Sequence, residues 1–273
     1  MIRWCSYCQR YLGEAPPFES FVMTHGVCRL CEKTAKKAQS ADLVKVRRIG
    51  SFYAEIRRHA LSGDISNVMA AIDTGAPALG MRASDLFMGI IQPVLSEIGK
   101  AWEAGRVTFA QEHAFTALAE EVLSRLTSAQ QGATSTPGQV DSVEVLLVCI
   151  SGNFHSLGVR TLGLGLRDAG IRTEVAYPSL ANPMILLALD KHSPAVLGMS
   201  VSLPEQRVEV EGLLASIAQR PRFKDLRLLI GGPAVKASPE YWHGLAGVTV
   251  APVDIDELVA TIRDAKHPLV GAT

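Results

Sequence analysis

Val143-Glu144-Val145-Leu146-Leu147-Val148-Cys149-Ile150, followed by Ser151-Gly152-Asn153-Phe154-His155-Ser156-Leu157-Gly158, is the stretch whose reading decides the fold. Seven of the first eight residues are apolar, Glu144 being the exception, and the run is rich in β-branched side chains. They are too few for a helix and read as a buried strand. From Leu157 to Ala169 the apolar spacing is helical, and Gly170 supplies a stop. His155 therefore falls in a strand-to-helix loop at the carboxyl edge of a parallel sheet, where open α/β sheets bind ligands. An imidazole there can ligate a metal, and Gly158 lets a large group approach the backbone.

Working outward, apolar runs alternate with helical segments to the end of the chain. Strands are expected at 143–150, 171–177, 195–201, 226–231 and 247–251, and helices near 156–169, 182–192, 204–219, 236–244 and 254–265. Five βα units define an α/β fold with a flavodoxin/Rossmann-like, doubly wound parallel sheet over 143–273. Residues 127–142 read as a Ser/Thr/Gly/Gln linker, with the linker proper at 128–142. Before it, 42–127 is helical throughout. Helices are expected at 42–62, 64–74, 82–103 and 108–127, with stops at Gly63-Asp64 and Gly75-Ala76-Pro77. Thr108 and Gln111 form a capping box, and Ala114, Leu118, Val122 and Leu126 continue the last helix at core spacing. Four antiparallel helices with short loops make an all-α bundle.

Residues 1–40 hold Cys5-x-x-Cys8 and Cys28-x-x-Cys31, with nineteen residues between the pairs. This is zinc-ribbon spacing: each knuckle aims two thiolates at one point, and four complete a tetrahedral site. So short a segment has little core of its own, so metal would supply much of its folding free energy. His25 is an extra candidate that the four cysteines make unnecessary.

Of 273 residues, 48% are hydrophobic and 20% charged, and the net charge is zero, as in an ordinary globular protein able to bury a core. Nothing global demands nucleic acid or an anionic membrane. The run from Arg29 to Arg58 carries nine Lys/Arg against Glu32, Asp42 and Glu55, and reads as a solvated helix face. No run of about 18 apolar residues and no signal core is present, so a cytoplasmic protein is expected. In that setting cysteines serve metal ligation before disulfides.

Asn153-x-His155-x-x-Gly158 resembles the D/E-x-H-x-x-G signature of cobalamin (vitamin B12)-binding domains. The resemblance implies that His155 coordinates cobalt from below after displacing the cofactor's own base. Ser200, after the third strand, and Gly231-Gly232, after the fourth, match the family's serine and Gly-Gly, between which the nucleotide tail threads. The family's S-x-L reads here as Ser200-x-Ser202-Leu203. Upstream, Trp102 is followed after nine residues by Glu112-His113, which resembles the W-x9-E-H motif of CarH-type adenosylcobalamin photoreceptors. There the helical domain caps the corrin, and these three residues surround the adenosyl group. An aromatic plane suits an apolar ligand, while a carboxylate and an imidazole can bind ribose and adenine. The resemblance covers 50–265. The cysteine segment lies outside it and is loosely similar to small segments on bacterial signalling proteins.

Two departures stand out. Glu103 follows Trp102 where the light sensors carry a histidine that captures cobalt after photolysis. Asn153 replaces an acid that would bond the imidazole and raise its basicity, leaving an uncharged amide to accept that bond.

Two functions compete on this reading. One is a regulatory sensor, holding adenosylcobalamin and signalling to a transcription regulator or other protein partner. The other is a corrinoid carrier serving a separate methyltransferase. Trp102, Glu112 and His113 favour the sensor, since an adenosyl group needs a pocket and a methyl group must be presented openly. No helix-turn-helix precedes the bundle, so direct DNA binding is not expected; a non-catalytic role is, and a homo-oligomer is compatible with it. A nucleotide-binding α/β protein is disfavoured because no G-x-G-x-x-G follows the first strand.

Overall fold

The computed structural model describes residues 1–34, 40–134 and 142–266, and the side chains of 29, 33–47, 131–134 and 265–266 are not described. Two compact units result, Met1–Ala133 and Thr134–Thr273.

In the first unit, β1 (Ile2–Cys5) lies between β2 (Tyr11–Glu14) and β3 (Met23–Gly26), antiparallel to the former and parallel to the latter, and α1 (Arg29–Thr34) follows. Four helical stretches come next: α2 (Ser40–Ser62), α3 (Ile65–Leu79), a third and α6 (Phe109–Thr134). The third runs without interruption through α4 (Ala83–Leu86), a π-helical turn (Phe87–Ile91) and α5 (Gln92–Glu103).

Asp64 caps α3 by accepting from the Asn67 N–H, and Thr108 and Gln111 form the expected reciprocal box on α6 (Gln111 N to Thr108 Oγ1, 3.3 Å; Thr108 N to Gln111 Oε1, 2.9 Å). Helix α3 does not stop at Gly75-Ala76-Pro77 as the sequence suggested. It runs to Leu79 and ends on left-handed Gly80. Pro77 sits in the final turn, where its missing N–H leaves the Asp73 carbonyl without its helical donor just before the helix ends. Gly75 is there for packing, because a Cβ would come within 2.5 Å of the Phe52 ring. On α6 the buried stripe is Phe115, Leu118, Ala119, Val122 and Leu123, while Ala114 is exposed and Leu126 half-buried. The expected linker is helical as far as Thr134, and 135–141 lie outside the described residues.

The second unit is a five-stranded parallel sheet in the order β5-β4-β6-β7-β8: β4 (Val145–Ile150), β5 (Thr173–Leu180), β6 (Val196–Ser200), β7 (Arg227–Gly231) and β8 (Val248–Val250). This is the flavodoxin-like order, with its switch point between β4 and β6. Every residue of β4 is buried. Leu146, Val148 and Ile150 enter one core with α8 (Asn182–His192) and α9 (Arg207–Ala218); Val145, Leu147 and Cys149 enter the other with α7 (Leu157–Asp168) and α12 (Ile255–Lys266). The helix expected at 236–244 starts earlier and breaks at Ser238, giving α10 (Pro233–Ala237) and α11 (Pro239–His243). Among the described residues, no helix is long and apolar enough to cross a membrane.

Candidate functional site

In the second unit the loop after β4 and the loop after β6 flank the switch point. Asn153, fully buried, bridges them. Its Nδ2 donates to the Ser200 carbonyl (2.8 Å) and Oγ (3.3 Å), and its Oδ1 accepts from the His155 backbone N–H (3.0 Å) and the Ser202 hydroxyl (2.8 Å). This corrects the expected role of Asn153. Both lone-pair directions of Oδ1 serve the loop, so the amide braces the backbone of His155 and does not bond its ring. Ser202 and Asn153, the two positions that depart from the family pattern in this unit, are bonded to each other.

The His155 side chain is exposed, as is Gly158, around which a Cβ would meet nothing within 4 Å. A broad planar ligand can therefore approach the first turn of α7. Exposed apolar side chains rise from the same edge of the sheet: Phe154 (71% exposed), Tyr177, Leu203 and Val253. An apolar rim around an accessible imidazole fits a corrinoid. Gly232 has φ +114°, and a Cβ there would lie 2.3 Å from the Val201 carbonyl oxygen. The fold alone requires glycine at that place. Gly231 closes β7, and its carbonyl accepts from the Val201 N–H (2.9 Å), tying the third and fourth loops together.

Sequence reasoning missed two supports of this edge. Gln206 is buried, and its Oε1 accepts from the N–H groups of Ser202 (2.8 Å) and Leu203 (3.1 Å). Ser179, at φ +44°, receives the Gly152 N–H on its hydroxyl (2.9 Å) and donates its own N–H to the Asn153 carbonyl (2.9 Å). Ser179 carries no local sequence signal, because it acts on a loop 27 residues away; Gln206 acts three and four residues back, from the third position of a short helical turn, as the second half of a capping box does.

In the first unit, Trp102 ends α5 with its side chain about half exposed (46%). Glu112 and His113 open α6. Glu112 Oε2 lies 2.6 Å from His113 Nδ1, and its Oε1 accepts from the Thr116 hydroxyl (2.9 Å). Phe109, unremarked in the sequence, packs its ring on His113 at a centroid distance of 3.7 Å and remains 60% exposed. This end of the bundle thus presents aromatic surface beside one ordered carboxylate–imidazole pair.

The four cysteine sulfurs lie within 4.8 Å of one another, and Cys8 and Cys28 are 3.7 Å apart. A tetrahedral zinc site with metal–sulfur bonds of about 2.3 Å has sulfur–sulfur edges of about 3.8 Å. Backbone N–H groups of Cys28 and Cys31 point at Cys5 and Cys28 Sγ (3.4 Å each). Burial acts to raise the Cys5 thiol, but N–H donors from Cys8, Cys28 and Tyr7 prevail and bring it down to about 7. The donor set and its spacing fit a tetrahedral, thiolate-binding cation. His25 is exposed on β3 and stands apart from the cluster. Cys149, the fifth cysteine, is core, and burial pushes its thiol up to about 11.

The segment is packed onto the third helical stretch. Trp4, fully buried and adjacent to Cys5, lays its indole on Gly89 of the π-helical turn. The Tyr11 N–H donates to Asp85 Oδ1 (3.0 Å), Arg82 makes a bidentate pair with the same carboxylate, and Lys100 Nζ sits 4.8 Å over the Phe21 ring.

Residues 53–127 match the family model of the B12 binding domain, a span that includes Trp102, Glu112 and His113. The chain therefore carries a B12-binding domain. It is similar to the HTH-type transcriptional repressor CarH of Myxococcus xanthus, at 25% identity over 183 residues, 67% of this chain and 56% of the repressor. The match thus spans little more than half of that relative's length. It is also similar to an uncharacterized 20.5 kDa protein of the bchF-crtJ intergenic region of Rhodobacter capsulatus, at 26% identity over 145 residues, 53% of this chain and 73% of that protein. Among solved structures, the Methanosarcina barkeri monomethylamine corrinoid protein shares the fold with a TM-score of 0.61 and 14% identity, covering 78% of this chain and 97% of its own.

Proposed function

We propose that this protein is a cobalamin-dependent regulatory sensor that binds adenosylcobalamin, responds to light and signals to a protein partner such as a transcription regulator. The observation that carries the reading is the bundle end formed by Trp102, Phe109, Glu112 and His113, within the matched B12-binding domain. Two aromatic surfaces and an ordered carboxylate–imidazole pair suit a nucleoside, which is flat on its faces and polar at its edges. Similarity to a repressor supports the regulatory role.

In this reading His155 supplies the lower cobalt ligand. Asn153, Ser200 and Ser202 hold its loop, Gly158 leaves room above α7, and Gly231-Gly232 shape the neighbouring loop. Cobalt chemistry, including a light-sensitive carbon–cobalt bond, belongs to the cofactor. The chain's own residues bind it, orient it and exclude water. Cys5, Cys8, Cys28 and Cys31 hold a structural zinc that orders the amino-terminal segment. No cobalt capture is expected from Glu103.

The test is the visible spectrum of purified protein with adenosylcobalamin before and after green illumination, for wild type and His155→Ala. The expected result is tight binding, a light-induced change, and loss of imidazole coupling to Co(II) in the paramagnetic resonance of the variant. Binding without any light-dependent change in spectrum or oligomeric state would give the function to the methyl-carrier alternative.

A further inference from the structure

The four clustered cysteines are not equivalent. Cys5, Cys28 and Cys31 are buried, while Cys8 is exposed. Cys8 also lines a cleft of about 530 Å³ within the first unit, between the cysteine segment, α2 and the end of α3, and Cys28 lines the same cleft. Three guanidinium side chains border it, those of Arg10, Arg48 and Arg82, against one acid among the described lining residues, Asp85. That acid is already held by Arg82 and by the Tyr11 N–H. One thiol of the cluster thus stands on an open, cationic cleft, and the other three are covered.

Exposure matters because of what zinc does to sulfur. A coordinated cysteine is a thiolate outright, and the thiolate is the form that oxidants attack. Burial shields Cys5, Cys28 and Cys31 from that attack. Reactive cysteines sit in partly exposed, electropositive surroundings, and of the four only Cys8 combines the two. A partner for an oxidised Cys8 is at hand, since Cys28 Sγ lies 3.7 Å from Cys8 Sγ. A disulfide spans about 2.0 Å, so a modest closing of that gap joins the two knuckles. Cys149, the fifth cysteine, is fully buried in the other unit and stands outside this chemistry.

We infer that Cys8 is an oxidation site for small hydroperoxides, and that its oxidation, resolved by Cys28, expels the zinc. The inference rests on the zinc assignment above. The Cys8 thiolate attacks the distal oxygen of the hydroperoxide, the O–O bond breaks, and the leaving alkoxide or hydroxide takes a proton to become alcohol or water. Cys8 then carries a sulfenic acid. The Cys28 thiolate attacks that sulfur, an S–S bond forms and hydroxide leaves. In all, two thiolates lose two electrons and one hydroperoxide accepts them. With Cys8 and Cys28 joined, only Cys5 and Cys31 remain as thiolate ligands, too few to close a tetrahedral zinc site.

The experiment treats full-length, zinc-loaded protein with one equivalent of hydrogen peroxide. Released zinc is read with a chromogenic chelator, and after acid quenching and alkylation the cysteines are mapped by mass spectrometry. About one zinc should leave per peroxide consumed, with Cys8 linked to Cys28 and with Cys5, Cys31 and Cys149 recovered as free thiols. Cys8→His offers three thiolates and an imidazole, which is also a closed zinc set, and should release zinc about tenfold or more slowly than wild type. Cys31→His offers the same set with Cys8 in place and should release it at the wild-type rate. The wild-type map decides the site by itself, so the assignment does not depend on either variant holding metal. Zinc retained under peroxide, zinc lost with Cys8 unmodified, a disulfide that excludes Cys8 or Cys28, or release from Cys8→His as fast as from wild type would each overturn the inference. A wild type that holds no zinc before peroxide is added would instead remove the zinc assignment on which it stands.

Discussion

Replacing Asn153 by aspartate restores the residue that the cobalamin-binding signature carries, yet the structure says that it should harm this protein. Asn153 is fully buried, and its Nδ2 is the donor in the 2.8 Å bond to the Ser200 carbonyl. A carboxylate has no donor. Two acceptor oxygens would face each other at that distance, inside the protein, and the shape-neutral change would cost about 2–4 kcal/mol from the lost bond and the burial of charge. For a unit of this size that lowers the midpoint of thermal unfolding by roughly 10 °C.

The pH dependence has a definite sign. Burial beside a carbonyl raises the folded-state pKa of the introduced carboxyl group above its unfolded value of about 4. A protonated carboxyl can donate to Ser200 as the amide does. The stability deficit against wild type should therefore be small near pH 4, grow as pH rises toward the folded-state pKa, and level off above it. Differential scanning calorimetry of both proteins from pH 4.5 to 8 reads this directly. Equal or higher stability of Asn153→Asp at pH 8, or a deficit that grows toward acid, would refute the assignment of the amide's nitrogen to Ser200.

Two further outcomes follow from the first unit. Metal analysis of protein prepared with zinc should find about one equivalent, falling to near zero in Cys5→Ser/Cys28→Ser; less than about half an equivalent in the wild type would remove the zinc assignment. Gly89→Ala would drive a methyl group into the Trp4 indole, where a Cβ approaches Cζ2 to 2.3 Å. Overpacking of this kind costs about 1–3 kcal/mol. It should loosen β1 and increase the rate of zinc loss to a chelator, and an unchanged chelation rate would show that the docking of Trp4 does not support the metal segment.

The α/β unit was legible from the chain because its strands are short apolar runs separated by helical spacing, and hydrophobic periodicity is a local property. The cysteine spacing was legible for a similar reason: two knuckles and four thiolates converge by local turn geometry once the pairs meet. The loop bearing His155 could be placed at the carboxyl edge of the sheet from the order of strand, loop and helix alone. Helix ends were read less well. Gly75-Ala76-Pro77 looks like a stop, but Gly75 answers to the ring of Phe52 on α2, a neighbour no local rule can supply.

What only the tertiary structure decided is which polar atoms meet. Asn153, Ser200 and Ser202 are up to 49 residues apart and become one hydrogen-bonded group because parallel β4 and β6 are adjacent. The departures at Asn153 and Ser202 look independent in the sequence and are partners in space. Ser179 carries no motif, and its role arises because parallel β4 and β5 are adjacent and bring it to Gly152 and Asn153. Phe109 is the exception, since one helical turn, four residues, sets it on His113 and that spacing is already present in the sequence. Hydrophobic spacing along a chain specifies elements, since burial is non-directional; hydrogen bonds are directional and short, so their partners exist only once the elements are packed.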